Sequence, residues 1–198
     1  MRSGSRSALL GICGALLLAT SSLAANLLPN SGFDTDLAGW TVSPTGVAWD
    51  PLDAASSQTS GSVAITASDT GGGRSAFVCV PAQEGVLYDY SVSQFAASGQ
   101  PDGAATLHLE WYAQPGCTDN VGVAPYVYSN ATDSWTRIGS AAPAPAGTQS
   151  VIFSMLETTI GSGSRTANFD DAFLPEPDPG ALQLCAVLAL VALRRRSA

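Results

Sequence analysis

Short stretches of alternating apolar and polar residues constrain the fold of this chain more than any other feature. In residues 87–95, Tyr88, Tyr90 and Val92 share one face of an extended chain, and polar residues take the other. Residues 105–112 repeat the pattern. Alternation with a period of two is typical of half-buried β-strands, and no segment between the two chain ends has a helical period. Roughly eight to ten short strands separated by turn signals predict an all-β fold, a jelly-roll β-sandwich, with immunoglobulin-like connections as the alternative. Residues 114–131 lack this pattern and are predicted to be a long, irregular loop.

The last of these strands, residues 168–174, carries two adjacent carboxylates, Asp170 and Asp171, between Phe169 and Phe173. Adjacent side chains on a strand point to opposite faces, so one carboxylate must face the side that the apolar residues bury. An ionised carboxylate there is costly unless it is paired or binds a cation. The chain contains no lysine and few arginines, which favours a bound metal as the partner.

The first 25 residues have the layout of a secretory signal peptide. Arg2 and Arg6 precede an apolar run over residues 8–19, and small residues precede the expected cleavage after Ala24 or Ala25. The run is too short to span a bilayer comfortably. Export is therefore predicted, with a buried first helix as the alternative.

The far end of the chain has a second processing layout. Pro175-Glu176-Pro177 precedes an apolar run over residues 181–193, and Arg194-Arg195-Arg196 follows the run. This order resembles the PEP-CTERM sorting signal of Gram-negative bacteria. The resemblance implies transient membrane contact through residues 181–193, recognition and removal of the tail by an exosortase-type membrane protease, and release to the cell surface or extracellular matrix. A simple C-terminal membrane anchor is the alternative, because arginines stay on the cytoplasmic side.

Two of the four cysteines, Cys13 and Cys185, lie in these terminal segments, which leaves Cys79 and Cys117 between them. Two cysteines in an exported domain most economically form one disulfide.

The segment from residue 26 to residue 174 is strongly acidic. It holds three arginines and fourteen carboxylates, a formal charge of about −11 at neutral pH. DNA, RNA and anionic membrane surfaces bind through clustered lysine and arginine, so none of them is a predicted ligand. The charge suits a neutral or cationic ligand, or a divalent metal.

Several short motifs occur in one order over residues 26–174. They are Asn26–Asp34 (Asn-Leu-Leu-Pro-Asn-Ser-Gly-Phe-Asp), Gly39-Trp40, a tyrosine-rich central strand, Trp135-Thr136-Arg137, Pro145-Ala146-Gly147 before a Val/Ile/Phe strand, and Phe169-Asp170-Asp171. This order resembles the carbohydrate-binding modules of the galactose-binding-like jelly-roll superfamily. The resemblance implies a non-catalytic domain over residues 26–174 that binds extracellular polysaccharide, between a signal peptide (1–25) and a sorting segment (175–198).

The same resemblance implies a structural calcium ion that ties the N-terminal segment to the last strand. Its ligands would be Asp34, Asp170 and Asp171, which match the acidic positions of the superfamily motif except that Asp34 stands where glutamate is usual. Calcium takes six to eight oxygen ligands, so carboxylates of this kind suit it. The alternative is a set of exposed turn carboxylates with one hydrogen-bonded aspartate.

Sugar binding needs aromatic faces that stack on pyranose rings and polar groups that bind the hydroxyls. The candidate ligand-binding residues are Trp49, Gln94, Tyr112 and Tyr126, with Tyr128, His108 and Glu110 as further candidates beside them. The remaining tryptophans, Trp40, Trp111 and Trp135, fit core positions better.

No motif predicts an enzyme. The chain has a single histidine, no Gly-x-Ser-x-Gly elbow, no His-Glu-x-x-His and no phosphate-binding glycine loop. Glycoside hydrolysis needs two carboxyl groups across a cleft, and Glu110 and Glu157 could be drawn as such a pair, but nothing in the sequence singles them out. The alternatives to a binding module are thus a structural matrix protein without a saccharide site and a small glycoside hydrolase.

Overall fold

The computed structural model describes residues 25–68 and 72–176, which form two antiparallel β-sheets packed face to face. The eleven strands are β1 (Thr41–Val42), β2 (Val47–Asp50), β3 (Ser62–Ser68), β4 (Arg74–Pro81), β5 (Leu87–Phe95), β6 (Gly103–Gln114), β7 (Thr118–Val123), β8 (Val127–Ser129), β9 (Thr136–Pro143), β10 (Ser150–Thr159) and β11 (Ser164–Phe173).

The first sheet has the order β1-β4-β10-β6-β7, and β8 also pairs with β6. The second sheet has the order β2-β3-β11-β5-β9. Every strand pairing is antiparallel. The predicted all-β sandwich is confirmed, although eleven strands exceed the eight to ten expected.

The core lies between the sheets and contains the apolar faces predicted from alternation. On β5, Tyr88, Tyr90 and Val92 are buried, and the apolar residues of β6 are buried in the same way. They pack with inward residues of the neighbouring strands into one cluster, which includes Leu107, Leu109, Trp111, Val151, Phe153, Met155, Val63, Ile65, Ala167 and Phe169. Trp40 is buried with Phe33 and Phe153, whereas Trp135 is only half-buried against Phe95.

The stretch from residue 114 to residue 131, expected to be an irregular loop, contains β7 and β8. β7 returns from β6 through a tight turn in which Gly116 (φ 78°) and Cys117 (φ 57°) are both left-handed. Its residues are almost all exposed, so it has no apolar alternation. The prediction was wrong because an exposed edge strand buries too little to leave that pattern.

The N-terminal segment is bonded along the last strand. The Leu27 amide donates to the Leu174 carbonyl and the Ala172 amide donates to the Ser31 carbonyl. The Asn26 side chain donates to the Ala172 carbonyl and accepts from the Leu174 amide. Hydrogen bonds therefore join the two ends of the domain.

Cys79 and Cys117 form the predicted disulfide, with their Cα atoms 6.1 Å apart. The bond links β4 to the turn between β6 and β7, across the outer face of β10. A disulfide of this kind favours a location outside the reducing cytoplasm.

The predicted signal peptide and the apolar run of the sorting segment lie outside the described residues. Within the part of the chain that the structure describes, no helix is long and apolar enough to cross a bilayer.

Candidate functional site

The outer face of β6 and β8 carries a cluster of aromatic and polar side chains. On β6, Tyr112, Glu110 and His108 point away from the core, because Leu107, Leu109 and Trp111 take the inner face. Tyr128 lies opposite Thr106 in the β6–β8 ladder, and Tyr126 immediately precedes β8. We call the set His108, Glu110, Tyr112, Tyr126 and Tyr128 the tyrosine face.

Glu110 is the centre of a hydrogen-bonded chain on this face. The Tyr112 hydroxyl donates to Glu110 Oε2 over 2.6 Å, and His108 Nε2 lies 3.0 Å from Oε1. Partial burial raises the pKa of Glu110, but the bonds from Tyr112 and His108 outweigh burial and hold this pKa below its usual value. Burial and the bond to Glu110 raise the pKa of Tyr112. At neutral pH the carboxylate is therefore ionised and the phenol is protonated.

Three rings of this face pack in a row, His108 tilted against Tyr126 and Tyr126 stacked on Tyr128. The His108 and Tyr126 ring centroids are 4.4 Å apart, and Tyr126 and Tyr128 are 6.0 Å apart with an interplanar angle of 20°. His108 is only 5% exposed, whereas Tyr126 and Tyr128 are 46% and 63% exposed. The two tyrosines thus present aromatic surface to solvent beside an ionised carboxylate.

Two of the four predicted ligand-binding residues, Tyr112 and Tyr126, lie together on the tyrosine face. Gln94 does not. It is completely buried on β5, and its amide donates to Ser129 Oγ and the Ala131 carbonyl. Its predicted contact with a saccharide is corrected to a packing role, because Gln94 lies on the inner face of β5 with Tyr88, Tyr90 and Val92 and is covered there by the segment around β8.

Trp49 lies on β2, the edge strand of the other sheet, and is 37% exposed. Its indole Nε1 donates to the Phe33 carbonyl over 2.7 Å. It lines a pocket together with Asp34, apart from the tyrosine face.

The two carboxylates of the last strand differ in exposure, and the pairing of β11 with β5 shifts register between Asp170 and Phe173. Asp170 is 1% exposed and accepts hydrogen bonds from the Ala54 and Asp171 amides, over 2.9 and 2.7 Å. Burial raises its pKa to about 6; the two amide bonds oppose the shift, and the nearby charges of Asp171 and Asp53 add to it. Asp171 is exposed, at a left-handed backbone position (φ 50°).

Asp34, Asp170 and Asp171 are not brought together as a metal-binding group. Across residues 25–68 and 72–176, no three histidine, cysteine, aspartate or glutamate side chains are arranged to hold a metal ion. Both Asp170 oxygens already accept main-chain hydrogen bonds, and Asp34 lines the Trp49 pocket. The three predicted ligands are thus not assembled within the described residues, and the calcium ion stays a prediction.

Glu110 and Glu157, the pair considered for glycoside hydrolysis, face opposite sides of the first sheet. Glu157 on β10 is completely buried between the sheets, where Arg165 Nε donates to its Oε1 over 2.6 Å. Burial raises the pKa of Glu157 to about 7, against the opposing charge of Arg165. The two carboxyl groups cannot act together on one substrate.

Asp53 was not singled out in the sequence, yet it shapes the region around Asp170. It is 7% exposed, and its Oδ1 accepts from the Ser57 amide over 2.6 Å. The sequence signal that could have identified Asp53 is an aspartate followed by small residues in a loop, because short polar side chains of this kind accept hydrogen bonds from nearby amides.

No protein-family model and no curated protein matches the chain. Solved structures do match it. A family 16 carbohydrate-binding module aligns with a TM-score of 0.57 and 15% identity, over 76% of this chain and 100% of that one. A family 61 module in complex with β-1,4-galactotriose aligns with a TM-score of 0.52 and 16% identity, over 77% and 100%.

The enzymatically active domain of bacteriophage CBA120 tailspike protein 4 also aligns, with a TM-score of 0.60 and 11% identity. The alignment covers 76% of this chain but only 21% of the tailspike chain. At these identities the likeness is one of fold alone. The chain thus has the two-sheet antiparallel sandwich found in carbohydrate-binding modules.

Proposed function

We propose that the described domain is a non-catalytic module that binds extracellular polysaccharide on the tyrosine face. The observation that carries this proposal is the exposed Tyr126–Tyr128 stack beside the Glu110 chain. Aromatic rings supply apolar surface for the face of a sugar, and the carboxylate and phenol accept and donate hydrogen bonds to its hydroxyls. The likeness to carbohydrate-binding modules supports the same function.

The polysaccharide we propose is neutral. The tyrosine face carries the ionised Glu110 and includes none of the three arginines of the described chain. Arg165 is buried against Glu157, Arg137 bonds Ser91 and Asp171 on the second sheet, and Arg74 begins β4. A uronate or sulfate group would meet a negative field with no arginine of this face to pair with it.

Export, tail removal by an exosortase-type protease and delivery to the surface or matrix of a Gram-negative bacterium remain part of the proposal. The Cys79–Cys117 disulfide supports the extracytoplasmic location, and the terminal sequence patterns support the rest.

A structural calcium ion also remains a proposal, in reduced form. Because the predicted set is not assembled, an ion would have to use Asp170 with Asp53, whose charge is near enough to raise the Asp170 pKa, and main-chain carbonyl groups. Its role would be to hold the loop after β2 against the last strand.

A glycan array tests the function. The full chain should bind neutral glycans and leave uronate-containing and sulfated ones unbound. Tyr128→Ala should weaken binding at least tenfold, since aromatic contacts carry much of such affinity. Leu87→Ala is the matched control, because Leu87 is also 63% exposed but lies on β5 of the other sheet. If no glycan is retained, the chain is a structural matrix protein and the proposal is wrong.

A further inference from the structure

A second concave site lies beside Trp49, at the edge strand β2. The pocket has a volume of about 490 Å³, within the range of small-molecule sites. It is formed by the segment after Phe33, by β2 and by the loop between β2 and β3. None of its lining residues belongs to the tyrosine face.

The indole of Trp49 is held in a fixed orientation. Its Nε1 donates to the Phe33 carbonyl over 2.7 Å. Its Cε2 and Cζ2 atoms lie 2.7 Å from the place that a Cβ atom would take at Gly61. Only glycine leaves room for the ring at this position. An aromatic wall that is already oriented loses little conformational entropy when a ligand binds.

The loop that forms the opposite wall, residues 51–61, is held by two buried carboxylates, Asp170 of β11 and the loop's own Asp53. The Ala54 amide donates to Asp170 Oδ2 over 2.9 Å, and the Ser57 amide donates to Asp53 Oδ1 over 2.6 Å. Asp53 and Asp170 are 7% and 1% exposed. Buried hydrogen bonds of this kind hold an irregular loop in one conformation.

Polar side chains line the rest of the pocket. The Asp34 carboxylate and the Gln58 amide are exposed at its wall, beside the hydroxyls of Ser57 and Thr59, which bond one another over 3.2 Å. No arginine lines the pocket. An aromatic wall with amide, carboxylate and hydroxyl groups suits an uncharged polyhydroxylated ring.

The pocket and the tyrosine face lie at opposite edges of the sandwich. β2 is the outermost strand of its sheet, and its neighbour β3 contacts β4 of the first sheet. β8 pairs with β6 on the side away from β10, and it contacts β9, the outermost strand at the other edge. A ligand bound at one site does not cover the other.

We propose that the Trp49 pocket is a second saccharide site, which takes a neutral sugar residue and makes the domain bivalent. A domain with two separated sites can join two polysaccharide chains, and its retention on a polymer exceeds that of either site alone. The chemical class of the ligand rests on the proposed function; the existence of the pocket site does not.

The test uses tryptophan fluorescence and titration calorimetry of the full chain with xylohexaose and β-1,4-galactotriose as probes. Trp49 is more exposed than the buried Trp40 and Trp111, so binding beside it should change the emission. The change should persist in the double variant Tyr126→Ala/Tyr128→Ala. Gln58→Ala keeps the fluorophore and should weaken the fluorescence-detected affinity about tenfold, the effect of one lost hydrogen bond to a ligand. Thr41→Ala, at an exposed position of β1 outside the pocket, is the matched control and should leave the affinity unchanged.

Two sites per chain should appear by calorimetry in the wild type and one in the double tyrosine variant. Mixed with xylan or β-1,4-galactan, the wild type should also cross-link chains and raise turbidity, whereas Gln58→Ala should not. A stoichiometry of one in the wild type, together with no fluorescence change in the double tyrosine variant, refutes the second site and leaves the proposed function standing. Binding that Gln58→Ala weakens and the tyrosine substitutions leave unchanged refutes the tyrosine face instead. No binding of either probe, with no turbidity, overturns both.

Discussion

Asp170→Asn should change how the stability of the domain depends on pH. The pKa of Asp170 is raised from 3.8 to about 6 in the folded chain, chiefly by burial. Between these two values the folded chain binds more protons than the unfolded chain. The free energy of unfolding therefore increases as the pH falls through this window, and the contribution is lost again as the pH rises above about 6.

The magnitude follows from the size of the shift. A change of about 2.2 pKa units at 1.36 kcal/mol each gives about 3 kcal/mol in full, of which about 2.5 kcal/mol is gained on acidification from pH 7.5 to pH 4, where the unfolded carboxyl is still partly ionised. Asparagine does not titrate, so the variant lacks this gain. The variant also loses one hydrogen bond, because the asparagine NH₂ group faces one of the two donating amides, that of Ala54 or that of Asp171. This loss lowers the free energy of unfolding by about 1–3 kcal/mol at every pH.

Urea unfolding at pH 7.5 and pH 4, in EDTA so that no metal ion binds Asp170, measures the effect. The change in unfolding free energy between the two pH values should differ by about 2.5 kcal/mol between wild type and Asp170→Asn. The other carboxylates, including Glu157, are present in both chains, so their contributions to the pH dependence of stability cancel in this comparison. Asp171→Asn is the control: it removes the adjacent exposed carboxylate, and asparagine tolerates the left-handed backbone there. Parallel pH dependences for wild type and Asp170→Asn would refute the account of the buried carboxylate.

Three further predictions concern the described fold. Arg165→Met leaves the buried Glu157 unpaired and should lower the free energy of unfolding in urea by about 3–5 kcal/mol. Adding Glu157→Leu should recover most of the loss, and an Arg165→Met variant as stable as the wild type would contradict the buried ion pair. Replacing Cys79 and Cys117 together by serine should cost about 4 kcal/mol in the chain-entropy model for a sequence separation of 38 residues, and unchanged unfolding in urea would show that the bond does not form. Chelation with EDTA should lower the melting temperature of wild type but not of Asp170→Asn, and equal melting curves with and without EDTA in wild type would end the calcium proposal.

Alternation along a strand predicts which face a side chain takes, but not what later covers that face. The inward apolar residues of β5 and β6 were predicted correctly, because their own sequence carries the period. Gln94 follows Tyr88, Tyr90 and Val92 at the same spacing, so the strand period itself places it on the inner face, where it is buried. What the local pattern does not contain is its polar partners, Ser129 Oγ and the Ala131 carbonyl, which come from chain distant in sequence.

In the candidate sites, too, contacts within one strand follow from the sequence pattern, whereas contacts between strands do not. Tyr112 and Glu110 share an outer face two residues apart on β6, so their contact follows from the strand period. The stack of Tyr126 on His108 depends on the pairing of β8 with β6, in a stretch expected to be a loop. The buried pair of Glu157 and Arg165 depends on how the two sheets meet, which neither strand encodes alone.

The affinity of the full chain for a neutral polysaccharide, with and without the exposed tyrosines, tests the central claim most directly. Electrophoresis through gels containing xylan or β-1,4-galactan should show retardation of the wild type and of Leu87→Ala. In the Tyr126→Ala/Tyr128→Ala variant, the affinity of the tyrosine face for the polysaccharide should fall at least tenfold, because both removed rings are exposed in the structure. Equal retardation of the double variant and the wild type would contradict the claim that this face binds polysaccharide.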